Sequence, residues 1–136
     1  MVNQIVYIVV CKIINTIYGI CKEVQIMILK RKYEDGFGMD EYFCELTEEL
    51  DNLAGLNKKQ SYGYGRRHYI LATNSYKKDH LYAIRIPGGT VGDIETDEND
   101  IILNLTIDLN YVVKTYPNNV NEIIKKYIGK KIEFER

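Results

Sequence analysis

Residues 67–108 read RHYILATNSYKKDHLYAIRIPGGTVGDIETDENDIILNLTID, and this stretch decides the fold class. It holds four strand-like runs: Arg67 to Thr73, His80 to Ile86, Thr90 to Glu95 and Ile101 to Asp108. Each is rich in β-branched or aromatic residues and bounded by polar or glycine-bearing breaks. The breaks are Thr73-Asn74-Ser75, Pro87-Gly88-Gly89 and Asp97-Glu98-Asn99-Asp100. These residues favour tight turns, and three consecutive hairpin links make an antiparallel meander.

Outward from the meander, both flanks predict helices. Downstream, Pro117 and Asn118-Asn119 open a helix, and Glu122 stands three residues after Asn119 as in a capping box. Val120, Ile123, Ile124, Tyr127 and Ile128 form its apolar stripe, and Gly129 ends it with Lys125, Lys126 and Lys130 near the negative end of the dipole. Lys131 to Glu135 then alternates as a last strand, while Leu109 to Tyr116 stays open between strand continuation and crossover. Upstream, Val24 to Lys32 alternates and predicts a largely buried strand, broken by the loop at 34–38. Asp40 is expected to cap a helix over 40–54, with Tyr42, Phe43, Leu46, Leu50, Leu53 and Ala54 as its apolar face and Gly55 as its stop.

The expectation is an α+β domain with a mainly antiparallel sheet of about five or six strands and two packed helices. Its core is expected at Leu46, Leu50, Ile70, Ile84, Leu103, Leu105, Ile123, Ile124 and Phe134. On that basis Ile124→Ala would cost about 2–5 kcal/mol, as for other buried aliphatic truncations.

Residues 5–21, IVYIVVCKIINTIYGIC, form an apolar N-terminal segment. Nine Ile and Val residues favour membrane insertion by roughly 3–5 kcal/mol, but Lys12 takes back about 3 kcal/mol and Asn15, Thr16 and Gly19 add to that. A membrane span is therefore not expected, and no basic n-region precedes the segment. Its spacing fits a helix, although its β-branched content favours strand. The organisation expected is a peripheral segment over 1–21 and one α+β domain over 22–136. Met27 is a second candidate start, so a chain beginning there is expected to fold.

The chain has 136 residues and a net charge of −1 from 18 basic and 19 acidic side chains. Such a balance gives no global drive toward nucleic acid or an anionic surface, so any such affinity must be local. Abundant Ile, Lys, Asn and Tyr with scarce Ala, Pro and Trp suit an AT-rich genome, such as that of a phage or mobile element. Cys11, Cys21 and Cys44 lack a CxxC pair and read as reduced thiols in a cytoplasmic setting. No metal or cofactor is expected. Starting from Asp93, the sixth and twelfth positions hold Glu98 and Asn104, where a calcium loop needs Gly and Glu.

Catalytic candidates are few. Ser61 and Ser75 lie in no GxSxG elbow, and Cys44 reads as a packing residue. The stronger local signal is Lys58-Lys59-Gln60-Ser61-Tyr62-Gly63-Tyr64-Gly65-Arg66-Arg67-His68-Tyr69. Its cations suit phosphates, its tyrosines offer stacking faces, and its glycines let backbone approach a ligand. Lys58, Lys59, Tyr62, Tyr64, Arg66, Arg67, His68 and Tyr69 are therefore the candidate ligand-binding residues. The functional expectation is a small non-catalytic binding domain for a nucleotide-like ligand or single-stranded nucleic acid. Two alternatives stand beside it. One is a small hydrolase or nuclease using His68 or His80 with carboxylates. The other is an interaction or inhibitory module presenting the acidic stretch 40–51 to a protein partner.

Overall fold

The computed structural model describes residues 24–34, 39–56, 67–73, 80–112 and 117–135. The readings of residues 1–21 and of the loop 57–66 fall outside them. Within them, strands β1 (Ile26–Glu34), β2 (Met39–Phe43), β3 (Tyr69–Thr73), β4 (Tyr82–Ile86), β5 (Gly89–Thr96), β6 (Ile102–Ile107) and β7 (Lys131–Phe134) form one sheet. Helix α1 (Glu45–Ala54) follows β2; a single turn, α2 (Leu109–Val112), and helix α3 (Pro117–Tyr127) join β6 to β7.

The strand order is β6-β5-β4-β3-β2-β1-β7. The meander is present as read, and β2 adds one more antiparallel strand. The sheet is thus seven-stranded and mixed, where five or six antiparallel strands were expected. The seventh strand is Met39–Phe43, which the sequence reading assigned to a helix. The mixture comes from β7, which pairs parallel to β1. Alternation marks a strand but carries no information on its partner, and here the chain returns through α3 to lie beside β1.

The sheet curls until its two edges meet. Ile101 bridges Lys131, Ile102 N–H donates to the Lys130 carbonyl at 2.9 Å, and Ile132 N–H donates to the Asp100 carbonyl at 2.9 Å. Gly129, at φ 88°, ends α3 and donates its N–H to the Ile102 carbonyl, which pins the helix end to β6.

One face of each strand turns inward. Registered neighbours across this inner face include Met27 and Ile132, Tyr42 and Ile70, Ile70 and Ile84, and Ile94 and Leu105. Leu46 and Leu50 of α1, with Val120 and Tyr127 of α3, complete the core. Leu103 was expected there but is 58% exposed, because it faces outward between inward Ile102 and Leu105 around the β5–β6 bulge. Ile123, Ile124 and Phe134 are only partly buried against the core. Ile124→Ala should accordingly cost about 1–2 kcal/mol, below the full range for a buried aliphatic. Urea unfolding measures this, and a loss above about 4 kcal/mol would contradict the half-buried placement.

Helix α1 begins at Glu45, so Asp40 is no cap and Tyr42 and Phe43 are strand residues. Thr47 supplies the capping interaction. Its hydroxyl accepts from Cys44 N–H at 2.9 Å and donates to the Cys44 carbonyl at 2.7 Å. Gly55 at φ 72° closes the other end, with Leu56 N–H donating to the Asp51 carbonyl at 2.8 Å. A chain starting at Met27 would lose the Gln25 carbonyl, which accepts from Lys131 N–H at 2.8 Å, and the Ile26–Lys131 rung. Among the described residues, no helix is long and apolar enough to cross a membrane.

Candidate functional site

Among the described residues, three places gather polar or aromatic chemistry: a buried knot behind α1, a groove on the outer face of β1 and β2, and the polar end of the curled sheet.

The knot is built on Asp51. Its carboxylate is buried and accepts from His68 N–H at 2.7 Å, lies 3.0 Å from His68 Nδ1, and accepts from Arg67 Nε at 3.3 Å. His68 is only 1% exposed, and its Nε2 has no hydrogen-bond partner among the described residues. Tyr69 is buried next to it. Of the eight candidate loop residues, Arg67, His68 and Tyr69 are described, and Lys58, Lys59, Tyr62, Tyr64 and Arg66 lie outside the described residues. His68 ties the chain to α1 through Asp51, Tyr69 packs beside Phe43, and Arg67 lines a groove. Asp51 is the partner that sequence reasoning missed. Its place on α1 was legible, but its bonds span 16 and 17 residues of chain.

The groove has a volume of about 350 Å³. Ile26 and Ile28 form its floor and are 40% and 50% exposed, so the outer face of β1 is open where a largely buried strand was expected. Lys30 pairs with Phe43 across β1 and β2, and both line the groove. The Phe43 ring is half-buried, with Lys32 Nζ and the Arg67 guanidinium carbon each 5.4 Å from its centroid. That distance is within cation–π range. Glu45 and Glu48 form the opposite wall. Cys44 lies at the same end, where burial pushes its thiol above the ordinary range and the Glu45 charge adds to the effect. A thiol held protonated is a poor nucleophile, which agrees with its reading as packing.

At the polar end of the sheet, a cavity of about 200 Å³ is lined by Asp40, Tyr42, Ala72, Thr73, His80 and Phe134. Arg31 and the Tyr42 hydroxyl donate to separate Asp40 oxygens at 3.1 and 3.0 Å. His80 Nδ1 lies 3.5 Å from Asp100, whose same oxygen accepts from the Tyr82 hydroxyl at 3.2 Å. Burial, then the Asp100 charge, pushes the Tyr82 phenol above its ordinary range and keeps it a hydrogen-bond donor. Both histidines thus stand near an acid, and His80 lines a cavity. Among the described residues, no cluster of three or more His, Cys, Asp or Glu side chains is placed to hold a metal ion.

The acidic stretch divides. Asp40 and Glu41 are buried in β2, Asp51 belongs to the knot, and Glu45 and Glu49 both meet Lys126 of α3. Those two carboxylates hold the Lys126 ammonium above its ordinary range, Glu49 contributing most.

Comparison with protein-family models, with curated proteins and with solved structures finds no match to this chain.

Proposed function

We propose that the chain is a small non-catalytic binding domain whose outer groove takes a nucleotide-like ligand or a single strand of nucleic acid. The observation that carries this reading is Phe43. It is a half-buried aromatic ring with two cations over it, set beside Lys30 above an apolar floor. A base stacks on such a ring whatever its sequence, and phosphates pair with the cations around it. Glu45 and Glu48 repel phosphate from the far wall but can accept from base N–H groups. A bound nucleotide would therefore orient with its phosphate toward Lys30 and Lys32. Arg67 directly follows the basic 57–66 segment in the sequence.

The test is fluorescence anisotropy with a labelled oligothymidylate, competed by mononucleotides. Phe43→Leu should weaken binding about tenfold, since stacking is worth about 1–3 kcal/mol per base. Lys30→Ala and Lys32→Ala should each lower the slope of log affinity against log salt by about 0.7, the value for one single-strand phosphate. Competition by mononucleotides separates a nucleotide pocket from a strand groove. Wild-type affinity in all three variants, or no binding of either probe, would overturn the proposal.

A further inference from the structure

The polar end of the curled sheet has a different chemistry from the outer groove. Its side chains belong to the inner face: Arg31 is registered against Tyr42, Asp40 against Ala72, and Ala72 against Tyr82. Deeper rungs of the same face are apolar, so the cavity is a polar mouth over a closed core. Among the described residues, two carboxylates stand there, Asp40 and Asp100, with one permanent cation, Arg31. Asp40 is only 7% exposed, yet each of its oxygens has one donor among the described residues and keeps acceptor capacity.

The walls are aromatic. Tyr42 and Phe134 have ring centroids 4.9 Å apart, Phe134 and His80 5.3 Å, and Phe134 and Tyr82 6.3 Å. These rings are braced against one another across β2, β4 and β7, so the mouth is formed before any ligand arrives. Aromatic faces carry negative quadrupole potential, and a deep carboxylate adds to it. A volume of about 200 Å³ equals roughly six or seven waters' share of liquid volume.

We infer that this mouth is a second binding site, for a small organic cation of the alkylammonium class, held by Asp40 against the faces of Tyr42, Phe134 and His80. The ammonium group sits against the Asp40 carboxylate, and its alkyl substituents contact the rings. Inorganic and carboxylate anions are rejected by the net negative charge. The site is independent of Phe43, which lies on the opposite face of the sheet in the outer groove.

The experiment is an NMR titration of the full chain with choline and with n-butylammonium, and with acetate and inorganic phosphate as anion controls. At the resonances of the mouth, saturable shifts are expected with both cations and with neither anion. Response to one cation alone fixes the preferred substitution on nitrogen and supports the site. Asp40→Asn preserves shape and should weaken cation binding at least tenfold, while Phe134→Leu should weaken it severalfold. Phe43→Leu should leave it unchanged. A thermal melt establishes that each variant is folded, and Phe134→Leu still tests the site should Asp40→Asn unfold. Anion binding at the mouth, wild-type cation affinity in both mouth variants, or no saturable cation response in the wild type would overturn the inference.

Discussion

Asp51→Ala should lower the unfolding free energy by about 3–5 kcal/mol, the usual cost of removing one member of a buried charged pair. The carboxylate accepts from the His68 backbone at 2.7 Å and from Arg67 at 3.3 Å, and it faces His68 Nδ1 at 3.0 Å. Alanine removes this partner from all three groups, and His68 Nε2 already lacks a partner among the described residues. Asp51→Asn keeps one oxygen for the His68 N–H but loses its charge toward Arg67, so its cost should be intermediate. Urea unfolding of both variants gives the comparison, and a loss below about 1 kcal/mol for alanine would mean that the knot contributes no more than a surface ion pair. The same substitution has a functional consequence. Arg67 is held beside Phe43 by Asp51, so the binding proposed for the outer groove should weaken even in the folded fraction of Asp51→Asn.

The meander, α3 and the last strand were legible because each is specified locally. Turn residues bound the strands, and Pro117, the apolar stripe and Gly129 bound the helix. Leu46, Leu50, Ile70, Ile84 and Leu105 are buried as their periodicity required. Strand β2 was illegible for a specific reason. Asp40, Glu41, Tyr42 and Phe43 run without a break into Glu45 and Leu46, and the acids and aromatics fit a helical stripe as well as a pleat. Both faces of β2 are substantially covered, with Asp40 answered by Arg31 and Tyr42, so its polar residues did not alternate with apolar ones. Tertiary pairing overrode local preference there. The mouth was illegible for another reason. It is assembled from β1, β2, β3, β4, β7 and the β5–β6 turn, and apart from Asp40 and Tyr42 its members lie far apart in the sequence. His80 was singled out as a titratable strand residue, but its approach to Asp100 depends on the curl of the sheet. Arg67, one of the candidate loop residues, lines the outer groove, whereas Phe43 beside it had been assigned to the apolar face of a helix.

Gly92→Ala should destabilise the fold by about 2–3 kcal/mol, near the upper end of the range for overpacking a tight interior. Gly92 lies on the inner face of β5, opposite Ile84 on one side and Ile107 on the other. An added Cβ would sit 2.3 Å from the Thr106 carbonyl oxygen, 3.1 Å from Ile84 Cδ1 and 3.4 Å from Ile107 Cα. The first neighbour decides the outcome. Ile84 could change rotamer, but the Thr106 carbonyl belongs to the backbone of β6, so relief requires β5 and β6 to separate. The β4–β5 ladder already shifts register between Ile84 and Arg85, next to this rung, so strain spreads into an irregular part of the sheet. Gly89 provides the control. It is in the same strand, its added Cβ would meet nothing within 4 Å, and Gly89→Ala should change stability by less than about 0.5 kcal/mol. Parallel thermal and urea unfolding of the two variants tests the contrast. Equal stabilities would show that β5 and β6 can part without loss, and that the curl of the sheet does not depend on close approach at Gly92.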